Sequence, residues 1–277
     1  KAAEKKIADL LAAHSVPFSF LKGRGLAEQL HDDSAARQSK DIDILIAPKR
    51  SRQAVELLND AGYIYKSYTF RRKKILEQER QNMDIKLFKD LTFFDPDFSV
   101  PIELHHRLFT FEPKTLTTDF NAAVKFDPNP SLSNSFYCLY LALHGAIAMW
   151  PRLKWVVDLS VMARKMPMRN RREMMDIAKF YRCDVAVAAS LLITEEIFAG
   201  SLDDEWQVLL KEGQKDEQLH KMKDLFYETL TAGALGRVSL PLKSYLLSGS
   251  ADFIFPGSIG LFDSLVTRFL LSLSLRI

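Results

Sequence analysis

Apolar positions along the chain fall into two regimes. Up to about residue 130, short strand-like runs alternate with helical stripes; beyond about 134 the helical period prevails. Within 3–14, Ile7, Leu10 and Leu11 recur at the spacing of a helix buried on one side, and His-Ser-Val-Pro ends it. Residues 18–21 (FSFL) form a short apolar strand that runs into Lys22-Gly23-Arg24-Gly25, with a helix expected over 26–31. Residues 41–46 (DIDILI) read as a strand. Residues 51–61 carry Ala54, Leu57, Leu58 and Ala61 as a helical stripe closed by Gly62. Residues 63–70, the charged piece through 84–88 and 100–108 (VPIELHHRL) read as β-rich. Helices are expected over 136–149, 154–165, 171–180, 185–198 and 214–230. The pattern predicts an α+β protein, with a mixed β-sheet flanked by helices over residues 1–130 and a helical domain over 131–277. They join at the Pro-containing segment 127–133 (DPNPSLS).

Composition narrows the class. The 277 residues are 47% hydrophobic and 26% charged, which excludes a disordered, collagen-like or disulfide-scaffold chain. Lys and Arg number 38 against 35 Asp and Glu, too even a balance for a protein that wraps nucleic acid in a concentrated basic surface. Cys138 and Cys183 lie in apolar segments without metal-ligand spacing. They read as reduced packing residues of a cytoplasmic protein, a disulfide being the alternative. No apolar run reaches the roughly 18 residues of a membrane span, and no signal-peptide pattern opens the chain. The tail 261–277 (LFDSLVTRFLLSLSLRI) carries Asp263, Arg268 and Arg276; it reads as a core or homodimer helix, or else as an interfacial one.

The sharpest chemical feature is Asp41-Ile42-Asp43. Side chains two apart on a strand share a face, so two carboxylates project together while Ile42 and Ile44 pack behind them. Such a pair repels unless a cation sits between its members, and carboxylate oxygens are the preferred ligands of Mg²⁺. A third carboxylate would complete the site, and Glu103, alternating with apolar neighbours and sharing a face with His105, is the best candidate. The plainer reading is a solvated strand end. The turn Lys22-Gly23-Arg24-Gly25 combines backbone that can approach a phosphate, a helix N-terminus and two cations. Its spacing is neither that of a P-loop nor of a dinucleotide fingerprint, and a plain strand-to-helix turn remains the alternative.

Taken in order, these pieces resemble the DNA polymerase β-like nucleotidyltransferase superfamily. Within it, the chain is similar to the family of uncharacterised nucleotidyltransferases. The residues that carry the resemblance begin with Leu21-Lys22-Gly23, residues 36–46 (ARQSKDIDILI) and the helix closed by Gly62-Tyr63. They continue through Ile102-Glu103-Leu104-His105 and His144-Gly145 to Trp150, Arg152-Leu153-Lys154-Trp155 and Asp158-Leu159, covering roughly residues 5–165. The resemblance implies transfer of a nucleoside monophosphate from an NTP such as ATP to a hydroxyl or phosphate acceptor, with release of pyrophosphate. Asp41, Asp43 and Glu103 would hold Mg²⁺ (two ions, with Mn²⁺ as substitute). Lys22, Gly23, Arg24 and Gly25 would hold the triphosphate, Arg37 would clamp a phosphate, and Lys154 would reach nucleotide or acceptor. The turn departs from the Gly-Ser or Gly-Gly common in the superfamily, and Glu103 stands where Asp is frequent.

Other polar residues keep two readings each. His144 is either a core histidine or marks where the helical domain faces a cleft between the domains. A strand puts His105 and His106 on opposite faces, so that His105 is expected to line the cleft and His106 either to pack or to face solvent. Asp158 either pairs with Lys154 one turn earlier or serves the site. Arg71-Arg72-Lys73-Lys74 is a solvated face or a contact for an anionic acceptor. No zinc cluster or nucleophile elbow is present in the sequence. A small-molecule, peptide or protein acceptor is expected ahead of tRNA, given the even charge. The rival functions are a non-catalytic nucleotide- or partner-binding protein of the same fold and a toxin-like transferase acting on tRNA or protein. Retention of all three carboxylates speaks against the non-catalytic rival.

Overall fold

The computed structural model describes residues 1–37, 39–66, 77–110, 112–148, 150, 152–211 and 217–232. The basic run 71–74 and the tail 261–277 lie outside the described residues. The chain divides into two compact units. The first takes in Lys1–Thr110 and Thr117–Ser131, the second Phe111–Leu116 and the chain from Leu132 onward.

The first unit is built on a five-stranded mixed sheet. Helix α1 (Ala2–Ala13) precedes strand β1 (Phe18–Phe20), helix α2 (Arg24–His31) and strand β2 (Ile42–Ile46). Helix α3 (Ser51–Asp60), strand β3 (Ile64–Lys66), helix α4 (Glu77–Leu87) and strands β4 (Asp90–Phe94) and β5 (Pro101–His105) follow, then helix α5 (Leu116–Val124). The strands lie in the order β1-β2-β5-β4-β3; β2 and β5 run parallel and the other neighbours antiparallel. One face is apolar. Ile42, Ile44 and Ile46 of β2, Leu91 and Phe93 of β4, and Ile102 and Leu104 of β5 are buried with Ile7 and Leu11 of α1 and Ala54, Val55 and Leu58 of α3. These helices supply the stripe that one face of a sheet needs. Ile44, fully buried on a central strand, would cost about 2–5 kcal/mol if cut to Ala.

Two features differ from the sequence reading. The charged piece 84–88, read as β-rich, belongs mostly to helix α4, because EQERQNMDIKL is made of good helix formers and lacks a period of two. The strand of this region is β4 (DLTFF), whose alternation of Asp90 and Thr92 with Leu91 and Phe93 is the real two-residue period. Helix α5 was not anticipated; the hydroxyl of Thr117 in its first turn accepts the Leu108 N–H.

The second unit is helical among its described residues: α6 (Ser135–Ile147), α7 (Leu153–Lys165), α8 (Met168–Phe180), α9 (Asp184–Ile197), α10 (Asp204–Leu210) and α11 (Glu217–Ala232). Side chains cap two of these helices: Asn134 accepts the Tyr137 N–H at the start of α6, and Asp203 accepts the Trp206 N–H at the start of α10. Trp150 is buried, its indole 5.6 Å from the Phe226 ring, and it lies directly over Gly145. A Cβ at Gly145 would come within 2.7 Å of the indole Nε1, so the glycine is the seat of the ring. Among the described residues no helix is long and apolar enough to cross a membrane.

Candidate active site

The face of the sheet opposite the apolar core gathers charge. Because β2 and β5 pair in parallel register, Asp43 lies directly beside Glu103; β4 brings Thr92 opposite Glu103 and Asp90 opposite His105. Alternation then puts Asp43, Glu103, His105, Asp90 and Thr92 on one side and the isoleucines, leucines and Phe93 on the other. One ligand atom from each of Asp43, Glu103 and His105 lies within 4.8 Å of the others, an arrangement that can hold a metal ion.

Charge compensation is local. Asp43, only 5% exposed, is contacted on one oxygen by Lys22 Nζ at 3.2 Å and on the other by His105 Nε2 at 3.2 Å. The same Nε2 lies 3.5 Å from Glu103 Oε2 and 3.8 Å from Asp90 Oδ2, and Lys89 pairs with Asp90. Burial and the neighbouring Lys89 work against a charged His105. Its hydrogen bonds to Asp43 and Glu103 and the Asp90 charge outweigh them, and the pKa stands above the ordinary histidine value. Burial pushes Asp90 up, but His105 and Lys89 hold its carboxyl below the usual range. His106 faces away: its Nε2 donates to the Ile85 carbonyl, and burial together with Arg107 pushes its pKa down to about 4.

The glycine turn meets this cluster at Lys22. Gly23, with φ of 102°, is the N-cap of α2, and the Leu21 N–H donates to the Asp43 carbonyl, tying the turn to β2. Gly25 permits a close approach, since a Cβ there would lie 2.1 Å from Asn129 Oδ1. Two small cavities flank the turn. One of about 210 Å³ is lined by Phe20, Lys22, Arg24, Gly25 and Asn129. The other, about 270 Å³, is lined by Arg24, Ser34, Arg37, Ser39 and Asp41. Arg24 joins both, donating to Ser34 Oγ at 2.5 Å and facing Glu4 at 3.6 Å. Arg37 is buried beside Asp41 in the second. A larger cavity of about 730 Å³ lies between α3 and α4. Most of its lining is polar, including Arg52, Glu56, Asn59, Gln78 and Gln81, with Val55 and Tyr63 of the apolar core at its inner side.

Asp41 therefore stands apart from the converging ligand atoms. It immediately precedes β2, takes the Ser39 hydroxyl on its carbonyl and carboxylate oxygens, and lines the cavity that holds Arg24 and Arg37. His144, Lys154 and Asp158 belong to the second unit. His144 packs between Tyr140 and Trp155, with ring centres 5.7 and 4.6 Å away, and Arg152 covers the Trp155 ring. Lys154 lies in the first turn of α7 and Asp158, buried, one turn later. Sequence reasoning missed Asp90 and Lys89. The signal was present in the alternation of DLTFF, once that segment is taken as a strand next to β5.

A family model for uncharacterised nucleotidyltransferases matches residues 2–199. The chain belongs to that family. No curated protein matches it. Membership in a nucleotidyltransferase family assigns general nucleotidyl transfer to the protein, and the carboxylate-bearing sheet lies wholly within the matched span.

Proposed function

We propose that the protein transfers a nucleoside monophosphate from an NTP to a hydroxyl or phosphate oxygen of an acceptor, releasing pyrophosphate. The observation that carries this reading is the register pairing of Asp43 with Glu103 on parallel neighbours, with Lys22 of the glycine turn on the same carboxylate. In the reaction the acceptor oxygen forms a bond to the α-phosphorus while the bond from that phosphorus to the β-bridging oxygen breaks, and the pyrophosphate leaves with those electrons. A divalent cation, Mg²⁺ or Mn²⁺ on the expectation from sequence, would neutralise phosphate charge and make the acceptor oxygen more acidic.

The donor set can hold a divalent cation, since one oxygen each of Asp43 and Glu103 and a ring nitrogen of His105 lie within 4.8 Å of one another. Asp43 and Glu103 hold the ion, and the N-terminus of α2 with Lys22, Arg24 and the turn glycines Gly23 and Gly25 binds the triphosphate. Arg37 binds a terminal phosphate in the cavity beside it, and Asp41 orients the end of β2 there. The acceptor is a small molecule, peptide or protein ahead of tRNA, and the site of action is the cytoplasm.

Calorimetric titration with ATP, GTP, CTP and UTP, with and without Mg²⁺ or Mn²⁺, tests the donor site without knowledge of the acceptor. Metal-dependent binding of at least one NTP, lost in Asp43→Asn, is the expected result. No binding under any of these conditions would reduce the claim to a shared fold.

A further inference from the structure

We propose that the cation of this site is a first-row transition ion bound through an imidazole nitrogen, His105 Nε2, and not a Mg²⁺ held by oxygen alone. The inference rests on the metal-dependent reading above and specifies its ion. Mg²⁺ is bound mainly by oxygens, keeps several waters and dehydrates reluctantly, whereas imidazole suits the transition series from Fe²⁺ to Zn²⁺, with Mn²⁺ accepting both kinds of donor. The Asp-x-Asp pattern anticipates an all-oxygen set of Asp41, Asp43 and Glu103. The atoms that converge are different: Asp43, Glu103 and the Nε2 of His105, with Asp41 outside the group.

Three observations make the nitrogen part of the site and not its backdrop. The strand period puts His105 on the same face as Glu103, and its Nε2 points at the carboxylates, 3.2 Å from Asp43 and 3.5 Å from Glu103. The ring is 2% exposed, so it has no route to turn its nitrogen toward solvent. Its other nitrogen, Nδ1, is buried with no hydrogen-bond partner among the described residues, so no competing bond draws the ring away from the carboxylates. Asp90, 3.8 Å from the same Nε2 and paired with Lys89, adds a third carboxylate at the edge of the cluster. A cation held by Asp43 and Glu103 therefore has the imidazole nitrogen within reach as a third donor.

The test uses the full chain, Mn²⁺ as probe, a buffer free of nitrogen ligands and no nucleotide. Bound Mn²⁺ is counted by its paramagnetic resonance signal, and pulsed measurement of the same sample reads nitrogen coupled to the ion. The expected result is one tightly held Mn²⁺ with a directly coupled ¹⁴N that changes to the ¹⁵N pattern when the protein is labelled with ¹⁵N-histidine. That comparison needs no substitution and survives any failure of a variant to fold. In His105→Gln the coupling disappears and the preference for Mn²⁺ over Mg²⁺ in competition falls at least tenfold. Bound Mn²⁺, lost in Asp43→Asn but without nitrogen coupling in the wild type, overturns the imidazole ligand and leaves the metal-dependent reading standing. Failure of Mn²⁺ to bind with or without an NTP overturns both.

Discussion

Gly25→Ala offers the most direct check on how the glycine turn is built. A Cβ at this position would sit 2.1 Å from Asn129 Oδ1, 2.9 Å from its Cγ and 3.3 Å from its Cβ. Rotating the Asn129 side chain can move the first two atoms, but its Cβ is fixed to the backbone. That backbone is itself held, because the Pro128 carbonyl accepts the Phe20 N–H and the Asn129 N–H donates to Asp127. Forced overpacking of this kind costs about 1–3 kcal/mol. Alanine in place of glycine in the first turn of α2 returns up to about 1 kcal/mol of helix propensity, so a net loss of roughly 1–2 kcal/mol is expected. For a unit of this size that lowers the melting temperature by about 2–8 °C. Thermal and urea unfolding of Gly25→Ala, Asn129→Gly and the double variant form a cycle. With the Asn129 Cβ removed in Asn129→Gly, Gly25→Ala should become neutral or stabilising, a coupling of at least about 1 kcal/mol. A single variant as stable as wild type, or a cycle that closes without coupling, refutes the close-approach account of the turn.

The remaining expectations concern both units. Lys22→Gln should weaken NTP affinity tenfold or more in calorimetry, since a charge-assisted phosphate contact is worth about 1.5–3 kcal/mol; unchanged affinity would remove Lys22 from the triphosphate site. Gly145→Ala should lower thermal stability by about 1–3 kcal/mol through its clash with the Trp150 ring and shift the tryptophan emission. Asp203→Ala should cost about 1 kcal/mol as a lost N-cap. The Arg171 guanidinium, donating to both Asp203 oxygens at 2.7 and 2.6 Å, holds the Asp203 pKa below the usual carboxylate value. Its contribution is therefore present above the unfolded carboxylate pKa near ~3.9 and is lost as pH falls through the lower folded value. Asp203→Asn keeps the cap but should narrow the stability gap to wild type steadily below pH ~4 in denaturant titrations.

Much of the molecule was legible from residue period alone. The stripes Ile7-Leu10-Leu11 and Ala54-Leu57-Leu58 gave α1 and α3, and DIDILI and IELH gave the strands that carry Asp43, Glu103 and His105. Strand order was not legible, because it depends on which distant segments pair. The placement of Asp90 beside His105 follows from β4 joining β5, a relation that no local pattern encodes. The split between Asp41 and Asp43 was hidden for a related reason. A period of two applies only inside a strand, and β2 begins at Ile42, leaving Asp41 to the geometry of the Ser39 turn. Gly145 was singled out with His144 as a marker of the site, whereas the visible demand on it is steric and comes from Trp150 five residues later.

Strand β5 is the last strand of the sheet in the chain, yet it occupies the middle, hydrogen-bonded to β2 on one side and β4 on the other. The strands that precede β5 make two separate pairs, β1-β2 and β3-β4, and in each the inner edge, rich in isoleucine, leucine or phenylalanine, has no partner until β5 is present. Such edges are templates for pairing with other chains. Synthesis of residues 101–105 closes both at once, and the same step delivers Glu103 and His105 to Asp43. Until β5 is in place both edges are open to other chains, and the cluster of Asp43, Glu103 and His105 forms in the same step that closes them.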